Sequence, residues 1–117
     1  MFVERRRVDR DRRLGGRISV VFAVRQRLGG RMQLGQAEDI GPLGITLRRH
    51  RDFPVVPCTP VSLSFELPGV RGIIEAEGRV VSDRRMGFFR RTGVRFDGVS
   101  TEHQAMLSAF CRSRRTA

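Results

Sequence analysis

The sequence contains no lysine, tryptophan or tyrosine, and only two cysteines and two histidines. Cys58 and Cys111 are too few for a disulfide framework, and together with His50 and His103 they show no metal-ligand spacing. We therefore expect two buried thiols, no cofactor and no metal. No apolar run is long enough to span a bilayer, and the charged N-terminus MFVERRRVDRDRR has none of the apolar stretch of a secretory signal. These absences favour a cytoplasmic protein.

No catalytic constellation is visible in the sequence. His50 and His103 have no nucleophile or carboxylate at catalytic spacing. Glu75 and Glu77 fall on one face of a predicted strand, which indicates the solvent-facing side of a sheet rather than a pair of catalytic carboxylates. The sequence therefore predicts a binding protein and not an enzyme.

Positive charge is what the sequence has in excess. Its 117 residues include 23 basic residues, all of them arginine, and the formal net charge is +11. Such a charge favours an anionic partner: a nucleotide, a nucleic acid or a phospholipid surface. The planar guanidinium of arginine suits this role because it pairs with phosphate through two hydrogen bonds and stacks on flat rings.

The length predicts one domain, with two parts that differ in composition. Residues 1–16 are almost entirely charged and predict a flexible, arginine-rich arm. Residues 17–114 carry apolar side chains at a period of two, which is typical of strands. Strands are predicted to begin near Ile18, Met32, Ile45, Val61, Ile73 and Gly87, with a loop at 50–60 and the last turn at Ser82–Arg85.

The end of the chain predicts a helix. Ser100 or Thr101 is suited to cap it, and Gln104 follows Thr101 by three residues as in a capping box. Six short strands and one terminal helix predict a mainly all-β fold, an antiparallel six-stranded β-barrel with a C-terminal α-helix. Most of the eight phenylalanines fall on predicted core faces. The residues expected in this core include Phe22, Phe65, Val94, Phe96, Leu107 and Phe110.

Two motifs lie at the start of the barrel. Arg13 and Arg17 form an RxxxR spacing immediately before the first strand, and Asp39-Ile40-Gly41-Pro42-Leu43-Gly44 occupies the turn between strands two and three. In a chain with 23 arginines the RxxxR spacing alone carries little information. The information lies in the order: RxxxR next to a strand, a DxGxxG turn about twenty residues later, and then the rest of the barrel.

This arrangement resembles the PilZ family, whose signature is RxxxR followed by [D/N]xSxxG. Arg13 and Arg17 match the first part, Asp39 and Gly44 match the second, and Gly41 stands where the family has serine. Residues 92–96 resemble the closing strand of the family. The resemblance covers the chain from about residue 12 to residue 114.

The resemblance implies a PilZ-like barrel that binds cyclic di-GMP. An arginine pairs with a phosphate or with the O6/N7 edge of guanine, and a carboxylate accepts hydrogen bonds from the guanine N1–H and amino group. The arm is expected to close over the ligand and so create a surface for an unidentified effector protein. The ligand-binding residues that the resemblance implies are Arg12, Arg13, Arg17, Asp39, Gly41 and Gly44.

Three functions stay open at this point. The first is a cyclic di-GMP-binding adaptor that controls a partner protein in motility, exopolysaccharide production or a related output. The second, suggested by Gly41, is a PilZ-like protein that does not bind cyclic di-GMP and acts through protein–protein contacts. The third, which we favour least, is a basic barrel that binds nucleic acid. It lacks the tryptophan and tyrosine stacking platforms of single-strand binders.

Overall fold

The computed structural model describes residues 16–116, so the predicted arm lies outside the described residues except for its last position. The described chain forms a closed antiparallel barrel, ordered β1-β2-β3-β6-β5-β4, in which β1 also pairs with β4. This confirms the predicted fold class. The elements are β1 (Ile18–Leu28), β2 (Arg31–Gly41), β3 (Gly44–His50), β4 (Pro60–Glu66), β5 (Ile73–Arg85), β6 (Phe89–Val99) and α1 (Thr101–Thr116).

Alternation along the strands decides which side chains fill the barrel, because successive residues of a strand point to opposite faces. In β4, Val61, Leu63 and Phe65 are buried while the residues between them are not. Glu75 and Glu77 on β5 are exposed, as predicted. The other strands and α1 complete one core, which includes Val24, Ile40, Ile45, Leu47, Ile74, Val80, Val94 and Leu107.

The phenylalanines are less buried than the sequence predicts. Phe65 and Phe110 are buried as expected, but Phe22 and Phe96 are only partly buried against the core, and Phe88 is 87% exposed. Phe22 and Phe96 both lie beside shifts in strand register, where the chain leaves the regular alternation that the prediction assumes. Four of the seven described phenylalanines thus contact the core, as predicted, but the burial expected of Phe22 and Phe96 is wrong.

The predicted turn at Ser82–Arg85 is also wrong. These residues form the last part of β5 and pair with β6, from Ser82 opposite Gly93 to Arg85 opposite Arg90. The connection is instead residues 86–88, where Gly87 has a φ of 85°. This charged segment continues the strand because β6 supplies its hydrogen-bond donors: the side chains of Thr92 and Arg90 donate to the carboxylate of Asp83.

The helix α1 begins at a serine cap. The backbone N–H of His103 donates to Ser100 Oγ at 3.1 Å, and the N–H of Gln104 donates to the Ser100 carbonyl at 2.8 Å. The capping-box role predicted for Gln104 is wrong, because its side-chain amide donates to the carbonyl of Pro42 at 3.1 Å. This bond ties the helix to the turn between β2 and β3. Among the described residues, no helix has the length and apolar character needed to cross a bilayer.

The two cysteines lie in different environments. Cys111 is buried on α1, with Sγ 3.9 Å from the carbonyl oxygen of Ile40. Cys58 is exposed in the loop before β4 and has a φ of 73°. The prediction of two buried thiols is therefore wrong for Cys58, because the proline-rich loop that carries it runs over the surface of the barrel.

Candidate functional site

The guanidinium of Arg17 is the centre of a polar cluster at one end of the barrel. Arg17 immediately precedes β1, and its Nη1 donates hydrogen bonds to Asp39 Oδ1 at 2.8 Å and to Thr46 Oγ1 at 2.7 Å. The side chains of Arg17 and Asp39 are 19% and 33% exposed, so the ion pair is accessible from solvent. Three elements therefore contribute to the cluster: the start of β1, the end of β2 and the start of β3.

Asp39 faces outward because of a local irregularity in β2. Strict alternation from the buried Ala37 would turn residue 39 into the barrel and Ile40 out of it. Instead, the register between β2 and β3 shifts between Ala37 and Asp39, and Ile40 is completely buried. A shift of this kind re-aims side chains, and here it leaves the Asp39 carboxylate free to meet Arg17.

Gly44 is required at its position by close approach. A Cβ atom at this residue would clash with the carbonyl oxygen of Val94 and lie 2.7 Å from Nη2 of Arg17. The described glycines with positive φ are Gly16, Gly29, Gly30, Gly69, Gly72 and Gly87, so neither Gly41 nor Gly44 is among them. Gly44 therefore lets β3, β6 and the arginine come together.

Gly41 ends β2 and pairs with Gly44 across a two-residue turn. It is buried. The backbone carbonyl oxygen of the next residue, Pro42, accepts the hydrogen bond from the side-chain amide of Gln104. The N–H of Phe96 donates to the carbonyl of Leu43 at 2.8 Å. The turn that carries the second motif is thus held by β6 and α1 together.

The structure brings four of the six predicted site residues into one region: Arg17, Asp39 and Gly44 through direct contacts, and Gly41 through the strand pairing. Arg12 and Arg13 lie outside the described residues. Whether these six bind a ligand remains a prediction.

Two further residues of this region were missed by the sequence analysis. Thr46 is the second acceptor of Arg17, and Arg95 is exposed and stands directly opposite Gly44 in the β3–β6 ladder. Neither has a sequence signal, because Arg17 and Thr46 lie 29 positions apart and pairing between β3 and β6 joins segments about fifty residues apart. Arg95 adds a second positive charge near the motif turn.

A second polar cluster lies at the opposite end of β3 and is buried. Arg49, with a side chain 2% exposed, pairs with Asp83, which is 3% exposed. Asp83 also accepts hydrogen bonds from Thr92 Oγ1, Val55 N and Arg90 Nε. Burial by itself would raise the pKa of Asp83, but these hydrogen bonds and the charge of Arg90 outweigh it and hold the pKa below its usual range. Burial lowers the pKa of Arg49, against the opposing effect of Asp83.

The fold and the cluster of Arg17, Asp39 and Thr46, here called the Arg17 cluster, define a class of protein: a small closed barrel with an arginine–carboxylate pair at one end and a helix against the neighbouring turn. The profile of the family described as "PilZ domain" matches residues 4–113. The chain belongs to the PilZ domain family, as the motifs predict. PilZ domains are regulatory binding domains rather than enzymes.

Solved structures of PilZ proteins have the same fold. The chain is similar to the Bacillus subtilis inhibitor of motility (MotI/DgrA), with 17% identity, a TM-score of 0.77, and coverage of 86% of this chain and 49% of that one. It is also similar to the PilZ domain of CeSA from a cellulose-synthesizing bacterium, with 17% identity, a TM-score of 0.62, and coverage of 85% and 97%. A third is the Borreliella burgdorferi PlzA protein in complex with c-di-GMP, with 11% identity, a TM-score of 0.62, and coverage of 97% and 57%.

These likenesses differ in extent. The chain spans about half the length of the Bacillus subtilis protein and nearly all of the CeSA domain. No curated protein sequence matches the chain.

Proposed function

We propose that this protein binds cyclic di-GMP at the Arg17 cluster and acts in the cytoplasm as a regulatory adaptor of a partner protein, without enzymatic activity. The observation that carries the proposal is the ion pair between Arg17 and Asp39 beside Gly44. Residues from both halves of the family signature come together there. Membership of the family and the likeness to PlzA, which was solved with c-di-GMP, support the same ligand.

Each contact has a chemical role in this proposal. The guanidinium of Arg17 pairs with a phosphate or with the O6/N7 edge of a guanine. Asp39 accepts hydrogen bonds from the guanine N1–H and amino group. Gly44 leaves room for the Arg17 guanidinium beside the turn, and Gly41 completes the turn. Arg12 and Arg13 add guanidinium groups from the segment before β1.

In the described state Arg17 already has two partners, Asp39 and Thr46. A ligand that engages both Arg17 and Asp39 exchanges part of this network for its own hydrogen bonds. The geometry of the guanidinium is set beforehand, which reduces the entropy lost on binding. Arg95, exposed beside Gly44, favours a ligand with more than one negative charge.

Isothermal titration calorimetry with cyclic di-GMP tests the proposal. We expect saturable binding that cyclic di-AMP does not reproduce, because adenine lacks the N1–H and the 2-amino group from which Asp39 would accept hydrogen bonds. A control variant, Arg25→Ala, removes an exposed arginine of β1 that faces β4 and should bind as the parent does. Equal binding of the two dinucleotides would contradict the role of Asp39.

A second function is favoured by one observation: glycine replaces the signature serine at position 41. The alternative is a PilZ-like protein that acts only through protein–protein contacts. It predicts that neither the parent nor Gly41→Ser binds cyclic di-GMP. Cooperative unfolding of both proteins is the control that they are folded. The output, whether motility, exopolysaccharide production or another, depends on the effector protein.

A further inference from the structure

The tip of the β5–β6 hairpin exposes apolar side chains. Phe88 is 87% exposed, the largest value among the exposed large hydrophobic residues of the described chain, and Met86 is 38% exposed. Both belong to the three-residue connection after Arg85, where Gly87 has a positive φ. Because Phe88 and Met86 lie two residues apart in one turn, they form a small apolar patch, and exposed apolar patches mark interaction sites.

The surroundings of this tip are positively charged. Arg84 and Arg85 are exposed, and neither forms an ion pair within residues 16–116. The one carboxylate of this part of β5, Asp83, is 3% exposed and is already held by Arg49 and Arg90. The tip therefore presents two uncompensated guanidinium groups next to an exposed aromatic ring.

The shape of the hairpin favours a flat partner over a narrow one. The ladder between β4 and β5 ends at Pro60 opposite Arg79, and beyond Ser82 the regular pairing of β5 is with β6 alone. β6 keeps β3 as its neighbour as far as His50 opposite Phe89, so residues 86–88 lie just beyond the end of the paired strands. Single-stranded nucleic acid binds in charged grooves with stacking platforms, whereas one exposed aromatic ring with flanking arginines at the end of a hairpin matches the interfacial zone of an anionic bilayer.

We propose that the 84–88 tip docks on an anionic phospholipid surface. Phe88 and Met86 enter the boundary between headgroups and acyl chains, and Arg84 and Arg85 pair with lipid phosphates. The Arg17 cluster stays accessible, because Gly44 and Arg95 lie at the far end of the β3–β6 ladder from the pair His50 and Phe89. The proposal does not depend on cyclic di-GMP binding.

The absence of tryptophan from the sequence makes a direct test possible. Phe88→Trp places a single fluorophore at the tip, and Val21→Trp places one at another exposed position, where valine is 74% exposed. With vesicles of 30% phosphatidylglycerol in phosphatidylcholine, we expect a blue shift and quenching by brominated acyl chains for Phe88→Trp only. No shift at position 88, or the same response at both positions, would overturn the proposal.

Matched charge variants test the arginines in the full chain. Arg84→Gln with Arg85→Gln should weaken vesicle binding about 30-fold, since each basic residue near an anionic surface contributes about 1 kcal/mol. Arg25→Gln with Arg27→Gln removes the same charge from β1 and should leave binding within about twofold of the parent. Any contribution of the N-terminal arginines is equal in both variants, so equal losses would contradict docking through the tip.

The apolar contact has its own variant. Phe88→Ser should weaken vesicle binding about tenfold, while Val21→Ser should not. Binding should also fall in pure phosphatidylcholine and at high salt, as an electrostatic component requires. If single-stranded DNA quenches Phe88→Trp and vesicles do not, the tip is a nucleic-acid contact and the membrane proposal is wrong.

Discussion

Arg17 and Asp39 form an ion pair at 2.8 Å although 22 residues separate them in the chain. The pairing of β1 with β2 places Ser19 opposite Asp39, which brings the residue just before β1 to the outward carboxylate. The two halves of the signature are therefore joined in the described state by a direct bond. Any ligand that binds there meets an arginine that is already oriented.

Replacement of this arginine should affect both ligand affinity and stability. Arg17→Ala removes charge-assisted hydrogen bonds, and we expect cyclic di-GMP affinity to fall about 30-fold, equivalent to about 2 kcal/mol. The free energy of unfolding should fall by about 1 kcal/mol, because the bonds to Asp39 and Thr46 are partly exposed. Calorimetric titration and urea denaturation measure the two effects. Affinity equal to that of the parent would remove Arg17 from the site.

The serine of the family signature can be restored. Gly41→Ser should tighten cyclic di-GMP binding about three- to tenfold, the effect of one added hydrogen bond. Because Gly41 is not among the described glycines with positive φ, we expect no loss of melting temperature from backbone strain. Titration and thermal denaturation of parent and variant check both statements. A lower melting temperature with unchanged affinity would show that the buried position does not accommodate a hydroxyl.

The buried Asp83 predicts a dependence of stability on pH. Its folded-state pKa lies below the usual value, whereas the pKa of an aspartate in the unfolded chain is about 3.9. The ionised carboxylate therefore stabilises the fold above about pH 4, and this contribution is lost as the pH falls through the lower folded-state pKa. Asp83→Asn should reduce stability at pH 7 by about 3–5 kcal/mol, because it leaves Arg49 buried without its charge partner.

Urea denaturation at pH 7 and at pH 3 measures this dependence. The parent should lose more stability than Asp83→Asn between the two pH values. Asp97→Asn is the matched control: Asp97 pairs with Arg79 at 3.2 Å, but both side chains are about half exposed, so the expected loss is below about 1 kcal/mol. Equal losses for the two variants would mean that burial of the Arg49 pair has no energetic role.

The core offers a comparison of two phenylalanines in contact. The rings of Phe22 and Phe65 lie 5.5 Å apart, yet only Phe65 is buried, at 3% exposure. Phe65→Ala should lower the free energy of unfolding by about 3–5 kcal/mol. Phe22→Ala should cost distinctly less, because its ring is partly solvated. Equal costs in urea denaturation would contradict the described placement of β1.

Much of the fold could be read from local patterns. Apolar and polar side chains alternate over residues 61–67, as in a half-buried strand. Gly29 and Gly30 predict the turn of the first hairpin, where both have positive φ. The end of β5 could not be read in this way. Its charged residues look like a turn, and only the partners of Asp83 on β6 and on the loop before β4 make them part of a strand.

The candidate site was predictable in its residue types but not in its connections. The motifs pointed to Arg17, Asp39 and Gly44, and their resemblance to the PilZ signature implied cyclic di-GMP as the ligand. The shift in register that turns Asp39 outward has no signature in the chain. Nor do the acceptor role of Thr46 and the position of Arg95, because both follow from strand pairings over long sequence separations.

By itself, then, the sequence determined the period of each strand, the terminal helix, the family and the excess of arginine. These are properties of residue type and spacing, which act locally. Only the tertiary structure decided that Arg17 bonds to Asp39, that Asp83 is buried and that Phe88 is exposed. Closure of the barrel sets which strands are neighbours and where they shift in register, and those two features place a side chain in the core, in an ion pair or in solvent.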